Sequence, residues 1–151
     1  FDLLQSLLQI LPEQTKLSIE NTIPNEHAIY HMSYLDFMLQ TIKKEKTESN
    51  ESQPSRIYAT LDTGHAKVNG FNPVEYAQKL LDNNIPIATL HIHDNDGKHD
   101  QHRAAGSVKK GIDFVRFFKV LKNQKQPNQV YCVIEHWTDN EKALTYLLKQ
   151  V

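Results

Sequence analysis

The order of the secondary-structure signals restricts the fold of this chain more than any other feature. Four short apolar segments that are typical of β-strands each precede a longer segment with helical periodicity, and one more helical segment precedes the first of them. Strands that alternate with helices predict a parallel sheet covered by helices, because the chain must cross over the sheet between neighbouring parallel strands. The sequence therefore predicts an α/β fold built of four strand-helix units.

The bounds of these units follow from alternation in the strands and from apolar residues three or four apart in the helices. We predict strands at residues 16–20, 56–62, 85–94 and 130–135, and helices at residues 1–11, 33–46, 72–84, 112–124 and 140–151. Asn72 is expected to cap the third helix, with Pro73 in its first turn. A chain of 151 residues with 39% hydrophobic content is long enough for one domain, which we place at residues 1–151.

Ionisable residues stand at or near the carboxyl end of every predicted strand. In chain order they are Glu20, Asp62, His91 and Glu135. Two architectures compete: an open doubly wound sheet and a part of a (β/α)8 barrel. The Gly-rich turn that often marks the nucleotide site of a doubly wound sheet is absent from the sequence. In a barrel, the carboxyl ends of the strands converge on one mouth, where these four side chains would meet.

The stretch LHIHDNDGKHDQH, from Leu90 to His102, adds more ligand-type side chains to the third of these strand ends. Carboxylates and imidazoles, with Cys132 as the sole cysteine, favour a divalent cation such as Mn, Mg, Co or Zn over a thiolate site. Additional candidates for contact with a metal or a substrate are His65, His93, Asp100 and His102. Three other histidines lack a spacing argument, and we expect them to be surface or packing residues: His27, His31 and His136.

Four motifs, taken together, resemble one known superfamily. LSIEN, LDTGHA, HIHDNDGKHDQH followed by IDF, and VIE occur in this order between Leu17 and Glu135. The arrangement is similar to the C-terminal half of the xylose isomerase-like TIM barrel superfamily, which includes sugar isomerases, epimerases and apurinic endonucleases of the endonuclease IV type. The resemblance implies parallel (β/α) units that form the C-terminal half of a TIM (β/α)8 barrel. One departure is the loop RAAGSVKKG, which is longer and more basic than the loop at this place in relatives.

The resemblance also implies roles for individual residues. The metal ligands of the isomerase type would be Glu20, Asp62, His91 and Glu135. By the same resemblance, His65 lies beside the metal or the substrate. Asp100 and His102 match a D-x-H motif that supplies additional metal ligands in the endonuclease branch.

The expected function is that of a divalent-metal-dependent isomerase or epimerase of a sugar or sugar derivative. Mn, Mg or Co would be the cofactor and a small-molecule sugar the partner. Removing a proton from a carbon next to a carbonyl requires stabilisation of the resulting enediolate, which a divalent ion can provide. Glu20 and Glu135 would then serve as the catalytic base and acid on the two sides of the substrate.

Two alternatives remain open. A multi-zinc apurinic endonuclease would use the same side chains around about three ions. The net charge of -1 and the presence of only three arginines argue against it, and a nucleic acid is not an expected partner. The other alternative is an inactive barrel fragment that binds metal without turnover.

The resemblance covers only half of a barrel, since a complete one needs about 250 residues. A fragment of a longer chain is the interpretation we favour, and the first residue, Phe1, agrees with it. The other interpretations are a separately supplied N-terminal half and a homo-oligomer in which two halves close the ring. The sequence shows no membrane span or signal peptide, so we expect a cytoplasmic protein without a membrane partner.

Overall fold

The computed structural model of the chain describes residues 2–24, 33–48, 55–124, 129–136 and 138–150. His27 and His31 lie outside the described residues. The elements, in chain order, are α1 (Asp2–Ile10), β1 (Leu17–Glu20), α2 (Tyr34–Glu48), β2 (Ile57–Asp62), α3 (Thr63–Val68), α4 (Pro73–Asp82), β3 (Ile87–Ile92), α5 (Phe114–Leu121), β4 (Tyr131–Ile134) and α6 (Asn140–Leu148). The fold is α/β, as predicted.

All four predicted strands and all five predicted helices are present, and most of them are shorter than predicted. Asn72 caps α4 through a side-chain hydrogen bond to the backbone N–H of Val74, and Pro73 begins the helix, which confirms that prediction. The third strand ends at Ile92 rather than Asp94, and Glu135 directly follows β4.

The short helix α3 was not predicted. It has six residues and begins at once after β2, so its sequence TGHAKV offers too little length for a helical apolar pattern. Asp62 is both the last residue of β2 and the N-cap of α3, because its side chain accepts a hydrogen bond from the backbone N–H of His65. A strand end and a helix start therefore share one residue.

The four strands form one parallel sheet in the order β1-β2-β3-β4. Neighbouring strands in the sheet are consecutive in the sequence, and the strand order does not reverse among the described residues. The register places Glu20 beside Thr60 on β2, and Asp62 beside His91 on β3. The carboxyl ends of the strands thus lie along one edge of the sheet.

One face of the sheet packs against the helices. Leu61 and Leu90 are neighbours in the register and belong to the same apolar core as Met38 of α2, Leu80 of α4 and Phe117 of α5. Each of these five side chains is at most 1% exposed. Burying a side chain of this size contributes about 1.5–3 kcal/mol relative to leaving it in water, so this face anchors the strands.

The other face of the sheet carries polar side chains on β1 and β2 and is exposed to solvent on β4. Thr60 donates a hydrogen bond to the hydroxyl of Ser18 across β1 and β2, at 2.7 Å. On β4, Val133 shares the face of its register neighbour His91, and it is 42% exposed. Tyr131, two residues earlier, is 61% exposed on the same face.

Among the described helices, none is long and apolar enough to cross a membrane.

Candidate metal centre

The structure brings all eight candidate site residues to the carboxyl edge of the sheet. They come from the four strand ends, from α3 and from the loop between β3 and α5. We describe them as two neighbouring groups. The first group comprises Glu20, Asp62, His91 and Glu135, and the second group comprises His65, His93, Asp100 and His102.

The first group surrounds one nitrogen atom, Nδ1 of His91. It lies 3.1 Å from Glu135 Oε1, 3.5 Å from Glu20 Oε1 and 3.8 Å from Asp62 Oδ2. The ligand atoms of Glu20, Asp62 and His91 all lie within 4.8 Å of one another. The ligand atoms of Glu135, Asp62 and His93 also lie within 4.8 Å of one another. Three carboxylates and an imidazole thus converge on a space that a metal ion could fill.

Two buried atoms of the first group lack hydrogen-bond partners among the described residues, and this bears on whether a cation fits between these residues. In the described part of the chain, neither Asp62 Oδ2 nor His91 Nδ1 has a hydrogen-bond partner. A buried polar atom without a partner is costly, and native proteins rarely leave one unless another group satisfies it. Nor does any lysine or arginine among the described residues pair with these carboxylates. The residues of the first group therefore fit a divalent cation.

The second group is organised around Asp100. Its Oδ2 lies 3.1 Å from His102 Nε2 and 3.4 Å from His65 Nε2, while its Oδ1 lies 3.8 Å from His93 Nε2. One ligand atom from each of the four residues falls within 4.8 Å of the others. Three histidines and a carboxylate form a donor set that is typical of zinc.

Backbone carbonyls fix the tautomers of two histidines in the second group. The Nδ1–H of His65 donates to the carbonyl of Asn21 at 3.1 Å, and that of His102 donates to the carbonyl of Glu135 at 2.8 Å. Because a carbonyl can only accept, Nδ1 must carry the proton in both rings. Nε2 of each ring faces Asp100, and that of His102 is hydrogen-bonded to its Oδ2 at 3.1 Å. Metal-binding histidines usually donate from one ring nitrogen to a carbonyl and bind the metal through the other.

His93 links the two groups. Its ring is fully buried, stacks on His102 at 4.1 Å between ring centroids, and places Nε2 2.9 Å from Asp62 Oδ1. That approach lacks hydrogen-bond geometry, and both ring nitrogens are without a partner among the described residues. Gly64 makes room for the ring, because a Cβ at this position would lie 1.9 Å from His93 Cε1.

Hydrogen bonding and burial compete in setting two pKa values at the site. Burial raises the pKa of Asp62, but the close approach of His93 and the backbone N–H and charge of His65 outweigh it and hold that pKa below its ordinary value. Burial lowers the pKa of His102, but the Glu135 carbonyl and the Asp100 carboxylate outweigh it and raise that pKa. Asp62 is accordingly held as a carboxylate.

The loop that carries Asp100 and His102 is closed by Asp94. This carboxylate is fully buried and accepts hydrogen bonds from the backbone N–H groups of Asn95 and Ile112, at 2.8 and 2.9 Å. The backbone of Asp94 also pairs in both directions with that of Arg103. Asp94 therefore holds the two ends of the loop together.

Other acidic and histidine side chains in this region have local roles. Asp96 accepts hydrogen bonds from the backbone N–H groups of Lys98 and His99 next to Gly97, which has a φ of 78°, so the Asp96-Gly97 pair forms a turn. His136 is 9% exposed and bonds to the carbonyl of Thr138, which agrees with a packing residue.

Sequence reasoning missed three residues that shape the site. Asn21 and Lys67 join separate segments beneath it, and Gly64 admits the ring of His93. Asn21 and Gly64 lie within the motifs LSIEN and LDTGHA, but no local pattern marks an amide or a glycine as a partner of a distant segment.

Comparison with known proteins gives two relatives from Methanocaldococcus jannaschii. The uncharacterized protein MJ1311 is 28% identical over 127 residues, which are 83% of this chain and 38% of that protein. The uncharacterized protein MJ1614 is 34% identical over 120 residues, which are 80% of this chain and 41% of that protein. The chain thus spans about two fifths of the length of the curated relatives it matches. No family model matches the chain.

Proposed function

We propose that the chain forms the C-terminal half of a TIM barrel and that its first group binds the metal of a sugar isomerase or epimerase. The sequential order of the parallel strands supports the barrel, since a doubly wound sheet reverses its order at a switch point. Among the described residues, β1 and β4 each pair on one side only, as the two flanking strands of a half-barrel would. The candidate site also lies at the carboxyl ends of the strands, where barrel enzymes carry their sites.

The observation that carries the proposed activity is the position of the two glutamates. Glu20 comes from β1 and Glu135 follows β4, the outer strands of the sheet, and both carboxylates approach Nδ1 of the central His91, at 3.5 and 3.1 Å. A carboxylate on each side of a central ligand suits a reaction in which a proton leaves one face of a substrate and another arrives. Proton transfer of this kind is general acid-base catalysis and is typically worth about 10²- to 10⁴-fold in rate.

The roles of the residues follow from this arrangement. Asp62 and His91, whose facing atoms have no other partner in the described structure, would hold the cation together with the two glutamates. The cation, when bound, supplies Lewis-acid polarisation of a substrate carbonyl. One glutamate would take the proton from the carbon next to the carbonyl and the other would return one. His65, whose Nδ1 lies 3.0 Å from Glu20 Oε1, would orient a substrate oxygen. A donor set rich in carboxylates favours Mn, Mg or Co.

The charge of the site supports a small sugar rather than nucleic acid as the substrate. Phosphate backbones are bound chiefly by lysine and arginine. In the part of the chain that the structure describes, the carboxylates of both groups form ion pairs only with histidines, and the partly buried ammonium group of Lys67 pairs with Asp94 instead. The site surface is therefore suited to hydroxyl and carbonyl oxygens.

A second candidate function is that of a multi-zinc apurinic endonuclease. The observation that favours it is the second group, whose three histidines and one aspartate form a zinc-type donor set directly beside the first group. Neighbouring metal ions are typical of enzymes that hydrolyse phosphodiesters. The number and identity of bound ions therefore separate the two candidates.

The deciding experiment is elemental analysis of the chain, purified without chelator or affinity tag, before and after equilibration with Mn²⁺ and Zn²⁺. The double variant Glu20→Gln/His91→Ala removes two ligands of the first group. The matched control, Glu141→Gln/His99→Ala, makes the same substitutions at exposed positions. About one Mn, Mg or Co per chain that only the first variant loses would support the isomerase.

Turnover is tested separately by incubating the metal-loaded chain with a panel of free and phosphorylated sugars in D₂O. Deuterium incorporation next to the carbonyl would support proton transfer, and Glu135→Gln should abolish it. Two or three zinc ions per chain with cleavage of an abasic duplex would establish the endonuclease instead. Metal binding without either activity would favour the inactive fragment.

A further inference from the structure

Asn21 is a buried amide beside the candidate metal centre that neither proposed reaction uses. It directly follows Glu20 and is 3% exposed. Its Nδ2 donates to the carbonyl of Asp62 at 3.0 Å, and its Oδ1 accepts from the backbone N–H of Asp62 at 2.8 Å. A carboxamide can make both bonds at once, because it alone among side chains of this size carries a donor and an acceptor side by side.

The main chain of Asn21 makes a third connection. Its carbonyl accepts the hydrogen bond from Nδ1–H of His65 at 3.1 Å. That carbonyl and Glu20 Oε1, which lies 3.0 Å from the same nitrogen, favour the proton on Nδ1 and leave Nε2 facing Asp100 of the second group at 3.4 Å. Asn21 therefore contacts one residue of each group: it bonds to the main chain of Asp62 in the first group and to the ring of His65 in the second.

We propose that Asn21 is a positioning residue that holds Glu20, Asp62 and His65 in one metal-binding arrangement. The amide locks the end of β1, and with it Glu20, to the end of β2 through Asp62. Without the amide, the backbone N–H of Asp62 would be buried without a partner from β1, so the main chain there would shift to find another partner. This inference rests on the proposed metal centre, but it makes a claim about His65 that holds in the metal-free chain as well.

The test compares Asn21→Leu with Thr60→Val in the full chain. Both substitutions preserve approximate size and remove side-chain hydrogen bonding between β1 and β2. Thr60 lies beside Glu20 in the register, but among the described residues its side chain bonds to Ser18 and to no residue of either group. We expect Asn21→Leu to weaken Mn²⁺ binding, measured by isothermal titration calorimetry, by about 10- to 100-fold. Thr60→Val should lower the thermal midpoint and leave the Mn²⁺ affinity unchanged. Equal affinities for the two variants would overturn the proposal.

A second readout separates failure of this inference from failure of the proposed function. Long-range ¹H–¹⁵N spectra of the metal-free chain report which ring nitrogen of His65 is protonated. We expect Nδ1–H in the parent chain and in Thr60→Val. In Asn21→Leu we expect a mixture of tautomers, because the released end of β1 would carry both the carbonyl of position 21 and Glu20 Oε1 away from Nδ1. If the parent chain binds no Mn²⁺, the proposed function fails, and the tautomer alone decides the role of Asn21. An unchanged His65 tautomer in Asn21→Leu would then refute that role.

Discussion

Lys67 Nζ lies 2.7 Å from Asp94 Oδ1, and this ion pair joins the short helix α3 to the loop after β3. The same ammonium group donates to the carbonyls of Asn95 and Lys110, at 2.6 and 3.2 Å. Asp94 is fully buried, whereas the side chain of Lys67 is 17% exposed. The helix that carries His65 and the loop that carries Asp100 and His102 are thus held together by one partly buried ammonium group.

Replacing Lys67 with Met should destabilise the chain strongly, because the carboxylate of Asp94 would remain buried without its counter-ion. We expect the free energy of unfolding in urea to fall by about 3 kcal/mol or more. Lys142→Met is the matched control, since Lys142 forms an exposed ion pair with Asp139 at 3.0 Å and should cost at most about 0.5 kcal/mol. A similar small loss for both variants would contradict the role given to Lys67.

Arg56 should not tolerate even a conservative change without a loss of stability. Its guanidinium donates to the carbonyls of Leu8, Pro12 and Thr15, at 3.0, 2.9 and 2.9 Å, and so ties the end of α1 to the start of β2. The single ammonium group of a lysine cannot reproduce this planar fork. We expect Arg56→Lys to lower the free energy of unfolding by about 1–3 kcal/mol.

The control for Arg56 is Arg116→Lys, at an exposed position on α5, which we expect to be neutral. Urea unfolding followed by circular dichroism measures both variants. If the two substitutions have the same effect, the carbonyl contacts of Arg56 do not contribute to stability.

Even a methyl group at Gly64 should destabilise the chain, because the ring of His93 occupies the space that a Cβ would need. We expect Gly64→Ala to cost about 1–3 kcal/mol of unfolding free energy through overpacking. The compensating variant is the double substitution Gly64→Ala/His93→Ala, in which the ring is gone. A double-mutant cycle measured by thermal unfolding should show a smaller cost for Gly64→Ala in the His93→Ala background. Equal costs in both backgrounds would show that the ring is not the obstacle.

The depressed pKa of Asp62 makes the metal-free chain sensitive to acid. The folded state holds this pKa below the ordinary value of 3.8. Its carboxylate therefore contributes stability above that pH, and the contribution disappears as the pH falls through the folded-state pKa. In Asp62→Asn, which can still cap α3, the urea midpoint should depend less on pH below about 4 than in the parent chain.

The same measurement on Asp139→Asn, at an exposed position, provides the comparison for Asp62. All samples need a chelator, so that release of a metal does not add its own pH dependence. If the parent and Asp62→Asn lose stability in parallel as the pH falls, the carboxylate of Asp62 is not the group that titrates.

Much of the fold was predictable because its signals are local. Alternation within VYCVIE, helical spacing within IDFVRFFKVLKNQ and the Asn72-Pro73 helix start each depend on residues only a few positions apart. The helix α3 was not predicted, because six residues directly after a strand are too few to show a helical period. The observed strand bounds differ from the predicted ones by at most two residues, because hydrogen bonding with neighbouring strands decides where a strand begins and ends.

The sequence by itself determined that strands and helices alternate and that a carboxylate or imidazole stands at or beside each strand end. Only the tertiary structure decided how these side chains meet. Asn21 and Asp62 are 41 positions apart, and Asn21 and His65 are 44 apart, so their hydrogen bonds exist only once β1 and β2 pair in register. Ring orientation, tautomer and burial arise from such distant contacts, which leave no periodic pattern in the chain.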